Sequence, residues 1–518
     1  MKYRWVWWDM FKWLTRKKNN KPKHRHDETE ERTIQEVFEK ANKSMDFITI
    51  SLSNDHGLHI SYYNTLIDID KLHDSVLSHL KDCDNEIKKL TDIKEIIPIE
   101  DIKFERDPQI IERSLFRGCI VIYFKNKMKT FGIIDLSNQR LGQRETNETE
   151  NEFSVVGPKL GFIEDLTTNL HLIRDHLNTS DLIIEEIILG TRNQTRVAIS
   201  YLDGVTNPEY LNTFKQRIND LDIDVTYDSA YLERLIADNT VTPFPLFITT
   251  ERVDRTIGAL LQGQIVIICD KSPYALIGPV TLMEFFSNPE DFYLPALIAS
   301  FFKLIRIFGM MFSIFATPFY VAILTFHYEV IPKDLLGPII YSRANVPFPP
   351  VVEGLFLEVT IDLLREAGAR LPTKIGQTLG IVGGIVIGQA TVEAALTSNI
   401  LLIFVALAAL SSFTTPIYKM SNAVRLLRYP FIFLAAIWGG LGIYVGIIIL
   451  IAHLARLKSL GMPYLLPLYP LRKEGVESAF LRPNYIKNNK RPWFTRPVSE
   501  MRYFPKSNKD PKEGLNEE

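Results

Sequence analysis

Acidic side chains on one helical face of an otherwise apolar segment are the residues of this chain best suited to chemistry. In "NVPFPPVVEGLFLEVTIDLLREAG" the carboxylates Glu358, Asp362 and Glu366 fall at i, i+4 and i+8. Leu355, Val359 and Leu363 occupy the neighbouring face. Thirty residues on, "IGQTLGIVGGIVIGQATVEAA" places Gly376, Gly380, Gly384 and Gly388 four residues apart, within about 120° of arc on a helix. Roughly opposite lie Ile375, Thr378, Val382, Gln389 and Glu393, with Val386 alongside. A bare glycine flank lets a neighbouring helix approach closely. An amide and a carboxylate in an apolar span are costly unless they face protein or water. One arrangement meets both demands: the glycines pack laterally, and Thr378, Val382, Val386, Gln389 and Glu393 line a narrow apolar constriction with polar mouths, gated by dewetting. Glu393, with Glu358 and Asp362 as an acidic vestibule, would favour cations. Ordinary helix packing with Glu393 at the headgroups is the other reading of the same pattern.

Little else reads as chemistry. The chain has no P-loop, GxGxxG, HExxH or GxSxG pattern, so neither an enzyme nor a bound cofactor is expected. His24 and His26 in "KPKHRHDE" read as a solvated linker rather than a metal site. Glu185 and Glu186 read as solvated charge. Cys83, Cys119 and Cys269 form no CxxC pair, which fits unpaired thiols in a reducing compartment. A net charge of −2 over 518 residues gives no field that would draw nucleic acid.

The elements that must hold these residues fall in two halves. Up to about Glu290 the chain reads as soluble, with strands alternating with helical patterns. "FERDPQIIERSLFRGCIVIYF" from Phe104 and "TERVDRTIGALLQGQIVIICD" from Thr250 match with a one-residue gap. Each runs Glu-Arg, Asp, helix, glycine (Gly118, Gly263), then a strand with Ile-Val-Ile. The expected organisation is an α/β soluble region of two related subdomains, 43–145 and 170–284, joined by a linker at 146–169. A helical multi-span membrane domain at 292–455 and a basic, proline-rich tail at 456–518 follow. Residues 1–42 form a basic segment in which Trp5, Trp7, Trp8 and Trp13 alternate with Lys2, Arg4, Lys12 and Arg16, a bilayer-interface pattern. Asp9 and Lys12 break it, so it lacks the apolar core of a secretory signal.

Four stretches are long and apolar enough to span a bilayer: from Ile307, from Ile375, from Ser398, and 430–455. The segment 335–367 is a fifth span, a re-entrant element or an interfacial helix. Basic clusters at Arg365, Arg370 and Lys374, at Lys419, Arg425 and Arg428, and after Arg456 cannot all face one side with either four or five spans. Four spans plus a re-entrant or interfacial segment is the weakly favoured count.

"PFPPVVEGLFLEVTIDLLREAGARLP", the glycine helix, "VGPKLGFIEDLTTNLHLIRDHL" and "IAHLARLKSLGMPYLLPLYP" together resemble the A subunit of GerA-type spore germination receptors, in order from Asn42 to Pro470. The resemblance implies a multi-pass protein of the spore inner membrane with its N-terminal region on the core side. It implies work beside a transporter-like B subunit and a lipoprotein C subunit. It implies a homo-pentameric, nutrient-gated channel for monovalent cations within membrane lipid. A sister family of spore channel subunits that amplify ion release shares the same core. Relatives commonly carry Arg-Gly-Pro-Arg-x-Gly-Phe where this chain has Val156-Gly157-Pro158-Lys159-Leu160-Gly161-Phe162.

Overall fold

The computed structural model describes residues 33–502 apart from 53–56, 82–88, 100, 126–127, 139–151, 153–155, 371–383 and 483–488. The tryptophan-rich opening segment, His24, His26, Cys83, Gly376, Thr378, Gly380 and Val382 lie outside the described residues.

Strands β1 (Phe47–Ser51), β2 (Leu58–Tyr63), β3 (Ile102–Glu105), β4 (Cys119–Phe124) and β5 (Phe131–Asp135) form a sheet ordered β1-β2-β4-β5-β3. All its pairs are antiparallel. Helices α1 (Ile34–Ala41) and α3 (Pro108–Leu115) cover one face, and the helical stretch α2 at 69–81 covers the other. The apolar run of β4 serves both faces by strand alternation. Ile120 and Ile122 join Leu72 and Val76 on one side, while Val121 and Tyr123 join Phe38 and Ile111 on the other.

The second unit repeats this plan. It begins with α4 (Leu166–His176), β6 (Leu182–Leu189) and β7 (Thr195–Leu202), followed by α5 (Pro208–Asn219) and α6 (Ser229–Ile236). It continues through β8 (Ile248–Thr250), α7 (Val253–Leu261), β9 (Ile265–Cys269) and β10 (Ala275–Gly278). The order β6-β7-β9-β10-β8 matches the first sheet strand for strand, again all antiparallel. Gly118 and Gly263 end the equivalent helices α3 and α7 with φ of 79° and 84°, a conformation glycine adopts without strain. The one-residue gap also has a structural form. Asp107 caps α3 by accepting from the Gln109 N–H, whereas α7 starts after Arg252 and holds Asp254 in its first turn.

A buried arginine joins the two units. Arg174 of α4 donates to both carboxylate oxygens of Asp46 (3.1 and 2.7 Å), to Ser44 Oγ (2.9 Å) and to the Leu182 carbonyl (3.0 Å). Its guanidinium lies 4.7 Å over the Tyr63 ring.

Beyond Pro295 the chain becomes a helical bundle of α8 (Ala296–Phe326), α9 (Lys333–Arg343), α10 (Pro350–Arg370), α11 (384–393) and α12 (Asn399–Ser412). The 39-residue helical run Tyr418–Arg456 follows. Among the described residues two helices, Ala296–Phe326 and Tyr418–Arg456, are long and apolar enough to cross a membrane by length and composition.

The second of these is not one rod. A Cβ on Gly442 would lie 2.0 Å from the Leu434 carbonyl, and one on Gly446 would lie 2.6 Å from the Phe431 ring. Residues eight apart on a straight helix are separated by roughly 12 Å, so the run must reverse. It does so at Gly439, with φ 58° and ψ −135°, and the Gly440 N–H donates to His327 Nε2 at the end of α8 (3.2 Å). The arms 418–438 (α13) and 440–456 (α14) form a loopless antiparallel hairpin. Both feet stand on the second soluble unit: Lys419 pairs with Glu233, and His453 Nε2 lies 3.0 Å from Thr242 Oγ1. The single span expected at 430–455 is therefore a turn between two helices.

The remaining helices take their directions from the same kind of contact. α8 leaves the soluble unit where Arg306 bonds the Phe286 carbonyl (2.8 Å), and it ends at the hairpin tip. α10 runs back. Glu353 meets Ser398 at the far end, Asp362 meets Tyr429 midway, and Arg365 meets Ser412 near the soluble unit. α12 runs the same way, from Ser398 beside Tyr320 (2.9 Å) to Thr414 beside Gly309. Among the described residues α8 and α13 thus run away from the soluble unit and α10, α12 and α14 run back, which brings the end of α14 to the soluble unit.

The tail then packs on that unit. The hairpin β11 (Lys458–Ser459) and β12 (Met462–Pro463) receives the Val280 N–H on Ser459 Oγ (3.1 Å), and Leu282 N–H donates to the Tyr464 carbonyl (2.8 Å). Farther along, Val498 N–H reaches the Val205 carbonyl (3.0 Å).

Candidate functional site

A charged layer crosses the bundle where α8, α10 and α13 meet. Glu358 is 1% exposed and pairs with Arg428, which is 2% exposed. Thr317 donates to Glu358 Oε1 (2.6 Å), and Arg428 also donates to the Ser313 carbonyl and hydroxyl (both 2.8 Å). A turn away, the Tyr429 hydroxyl donates to Asp362 (2.6 Å), with Arg425 at 3.8 Å. Toward the far end, Glu353 is fully buried and accepts from Arg343 (2.8 Å) and from the Ser398 N–H (3.2 Å).

Glu358 is thus not the wall of an open vestibule. It is the anionic half of an interhelical pair, and Asp362 is tied to Tyr429 beside it. The i, i+4 spacing on α10 marked both acids. Their partners lie about seventy residues downstream on α13, and local spacing gives no sign of them.

The glycine helix lies at the margin of this bundle. Gly384 has nothing within 4 Å of an added Cβ, and Gly388 touches only Leu402 at 3.8 Å. Ile385 and Val386 are 63% and 58% exposed. The Gln389 amide donates to Glu393 Oε1 (2.8 Å) on the exposed side. Within one chain, Gly384 therefore has no packing partner among the described residues, and Val386, Gln389 and Glu393 face outward.

A third cluster joins soluble unit to bundle. Gly157 has φ 114°, and a Cβ there would strike the Tyr293 ring at 2.7 Å. Tyr293 donates to Asp254 (3.0 Å), and Asp254 accepts twice from Arg252 (2.9 and 2.7 Å). Phe162 N–H donates to the Glu251 carbonyl (2.7 Å). The junction stretch Val156–Phe162 thus docks where α7 starts and α8 is about to begin. Arg306 of α8 pairs with Asp291 in the same region.

Glu284 lies in this joint. Burial pushes its carboxyl from the ordinary 4.5 up to about 7, against hydrogen bonds from the Thr281 N–H (2.7 Å) and the Gln264 amide (3.1 Å). The folded chain keeps this proton at pH values where the unfolded chain has lost it. Stability contributed by the neutral carboxyl is therefore present below pH 4.5 and lost as pH rises toward about 7. Glu284→Gln is expected to remove that loss. Its advantage at pH 8 over wild type should be on the order of 2–3 kcal/mol. Melting curves of both proteins at pH 5 and pH 8 check this; parallel pH profiles would refute it.

The two described thiols offer no reactive group. Cys119 and Cys269 are buried in strands, and burial pushes them up to about 11 and about 12.

A family model described as Bacillus/Clostridium GerA spore germination protein matches residues 32–494. The chain is 44% identical over 475 residues to spore germination protein GerQA of Bacillus cereus, covering 92% of this chain and 94% of that one. It is 45% identical over 452 residues to GerIA of the same species, covering 87% and 67%. It is 36% identical over 469 residues to spore germination protein KA of Bacillus subtilis (strain 168), covering 89% and 86%. A solved N-terminal domain of the A subunit of the Bacillus megaterium germinant receptor GerK3 aligns with 48% of this chain and 92% of that one, at 25% identity and TM-score 0.33. The matched region takes in both sheets, the charged layer, the glycine helix and most of the tail, and on that extent the chain belongs to the GerA family of spore germination proteins.

Proposed function

We propose that this chain is the A subunit of a nutrient germinant receptor, a six-pass protein of the spore inner membrane that assembles as a homo-oligomeric cation channel. On this reading it works with a transporter-like B subunit and a lipoprotein C subunit. The outward-facing α11 carries the proposal. An apolar helix with a bare glycine flank and exposed valine, glutamine and glutamate is incomplete in one chain, and a ring of copies would cover the glycines and enclose the other face. Thr378, Val382, Val386, Gln389 and Glu393 would then line the pore, a pentamer being the expected size.

Topology supports the membrane part. With six passes, Arg365, Arg370, Lys419, Arg425 and the tail all fall on the side of the soluble units, as the positive-inside rule asks. The stretch from Arg306 to Phe326 is about 30 Å long, the thickness of a hydrocarbon core.

Val386→Ala would widen a dewetted constriction by removing methyl groups from every subunit. Ion flux through liposomes holding the reconstituted receptor is expected to rise on the order of tenfold in the absence of nutrient. Unchanged flux at equal protein level would count against a pore lined by α11.

One observation favours a second reading, a relay subunit with conduction elsewhere. Both feet of the α13–α14 hairpin are bonded to the second soluble unit, which suits transmission of movement. Under that reading Val386→Ala alters nothing, while Lys419→Ala uncouples nutrient from response.

A further inference from the structure

Where the second soluble unit, the base of α8 and the tail meet, they enclose a cavity of about 1490 Å³. We infer that it holds the phosphate headgroup of an anionic phospholipid, an inference that rests on α8 being a membrane span.

Position comes first. Lys303 lies one helical turn before Arg306, where α8 parts from the soluble unit, so it falls at headgroup depth on the proposed topology. Leu297, Phe301 and Phe308 on α8 are 82%, 59% and 69% exposed, an apolar stripe running from the cavity mouth toward the bilayer.

Charge comes second. Three acids at the cavity are engaged, Asp291 by Arg306, Asp254 by Arg252 and Tyr293, and Glu284 by Gln264 and Thr281, while Glu477 and Glu500, which also line it, are exposed. Arg491 is spent on the carbonyls of Leu261, Ser499 and Met501. Lys303 and Arg482 are held differently. Lys303 is 8% exposed, and its ammonium, with three donors, reaches the Ser478 carbonyl at 3.3 Å. Arg482 is fixed by its backbone N–H to Ser300 Oγ (2.9 Å), and its guanidinium lies 4.0 Å over the Phe292 ring. Two positioned cations, with donors that no described residue takes up, over walls of Leu297, Ile257, Leu261 and Trp493, suit an anion that carries an apolar body. The volume exceeds that of most small-molecule pockets, leaving room for the headgroup and the first methylenes.

The test uses the full-length chain in nanodiscs of equimolar phosphatidylglycerol and phosphatidylcholine, released into mild detergent, with retained lipid read by native mass spectrometry. Wild type should retain phosphatidylglycerol in preference to phosphatidylcholine. Lys303→Gln with Arg482→Gln should lower that retention about tenfold or more, and Lys458→Gln should not change it. Equal retention of both lipids by wild type, or unchanged retention in the double variant, overturns the inference. So does inorganic phosphate at millimolar level displacing the lipid, which would mark a soluble-anion site. A cavity closed by a second copy of the chain, with no lipid in the oligomer, overturns it too. Recovery of the chain in the disc fraction reads the membrane assignment separately. Should the double variant fail to fold, brominated-chain phosphatidylglycerol offers a second measurement. It should quench the part of the emission lost in Trp493→Phe, and brominated phosphatidylcholine should not; equal quenching refutes the site.

Discussion

Glu358→Ala is expected to cost this chain about 3–5 kcal/mol of folded-state stability, the usual effect of leaving one partner of a buried ion pair uncompensated. Arg428 would keep its bonds to the Ser313 carbonyl and hydroxyl but lose its counter-charge in a place with almost no access to water. The pair is also the point at which α8, α10 and α13 meet, so relaxation toward solvent would have to open three helices. Replacing both partners should be far milder. Glu358→Met combined with Arg428→Met removes the desolvation problem along with the attraction, and such exchanges are often neutral or stabilising. The coupling between the two sites should therefore be large and opposite in sign to the single effects. Glu366→Ala, eight residues away on the same helix, is the control. Glu366 is exposed and among the described residues pairs with exposed Arg370, so its removal should leave the melting temperature unchanged. Thermal unfolding in one detergent of six full-length proteins, wild type, Glu358→Ala, Glu358→Met, Arg428→Met, the double methionine variant and Glu366→Ala, reads all of this. Glu358→Ala melting with wild type would mean that the pair carries no structural weight.

The contrast between Glu358 and Glu366 shows where sequence reading succeeds and where it stops. Helix caps, strand alternation and chain duplication are local, and they are legible. Gly118 and Gly263 were identifiable as equivalent positions, and both adopt the left-handed turn that ends a helix. Asp107 before Pro108 and Asn207 before Pro208 are helix starts that composition alone announces. Long-range pairing has no such mark. Three acids at helical spacing look alike until α13 supplies Arg428, Tyr429 and Arg425 to two of them and nothing to the third.

The hairpin tip was hidden for a different reason. A turn in water is built from polar residues that satisfy the backbone. In "FLAAIWGGLGIYVG" the reversal is made by glycines in an apolar setting, and His327 from another helix accepts the freed Gly440 N–H. Glycine is common in membrane helices that do not turn, so the run reads as one span. On the proposed six-pass reading Arg365, Arg370, Lys419, Arg425 and the tail share one side, whereas four or five spans divide the basic clusters between the two sides.

Glycines in this bundle serve two separate ends, and alanine tells them apart. Gly442→Ala is expected to be severe, more than about 3 kcal/mol, because its methyl would sit 2.0 Å from a backbone carbonyl that cannot swing aside. The arms α13 and α14 would have to part, the His327 contact would go, and the full-length chain should be recovered in low yield or with a collapsed melting temperature. Gly384→Ala meets no atom within 4 Å in its own chain. For a single chain it should be harmless or favourable by roughly 0.5–1 kcal/mol, the helix preference for alanine. Any loss it causes must then come from a surface that one chain does not contain. If the bare flank of α11 packs against a neighbouring subunit, Gly384→Ala should shift native mass spectra of the purified protein from the oligomer toward the monomer, while the monomer itself melts no lower than wild type. Gly388→Ala, already at 3.8 Å from Leu402, should do so with a small additional cost inside the chain. An oligomer population indifferent to Gly384→Ala would mean that this flank borders lipid, and the lateral contact on which a ring of α11 helices depends would have no place to form.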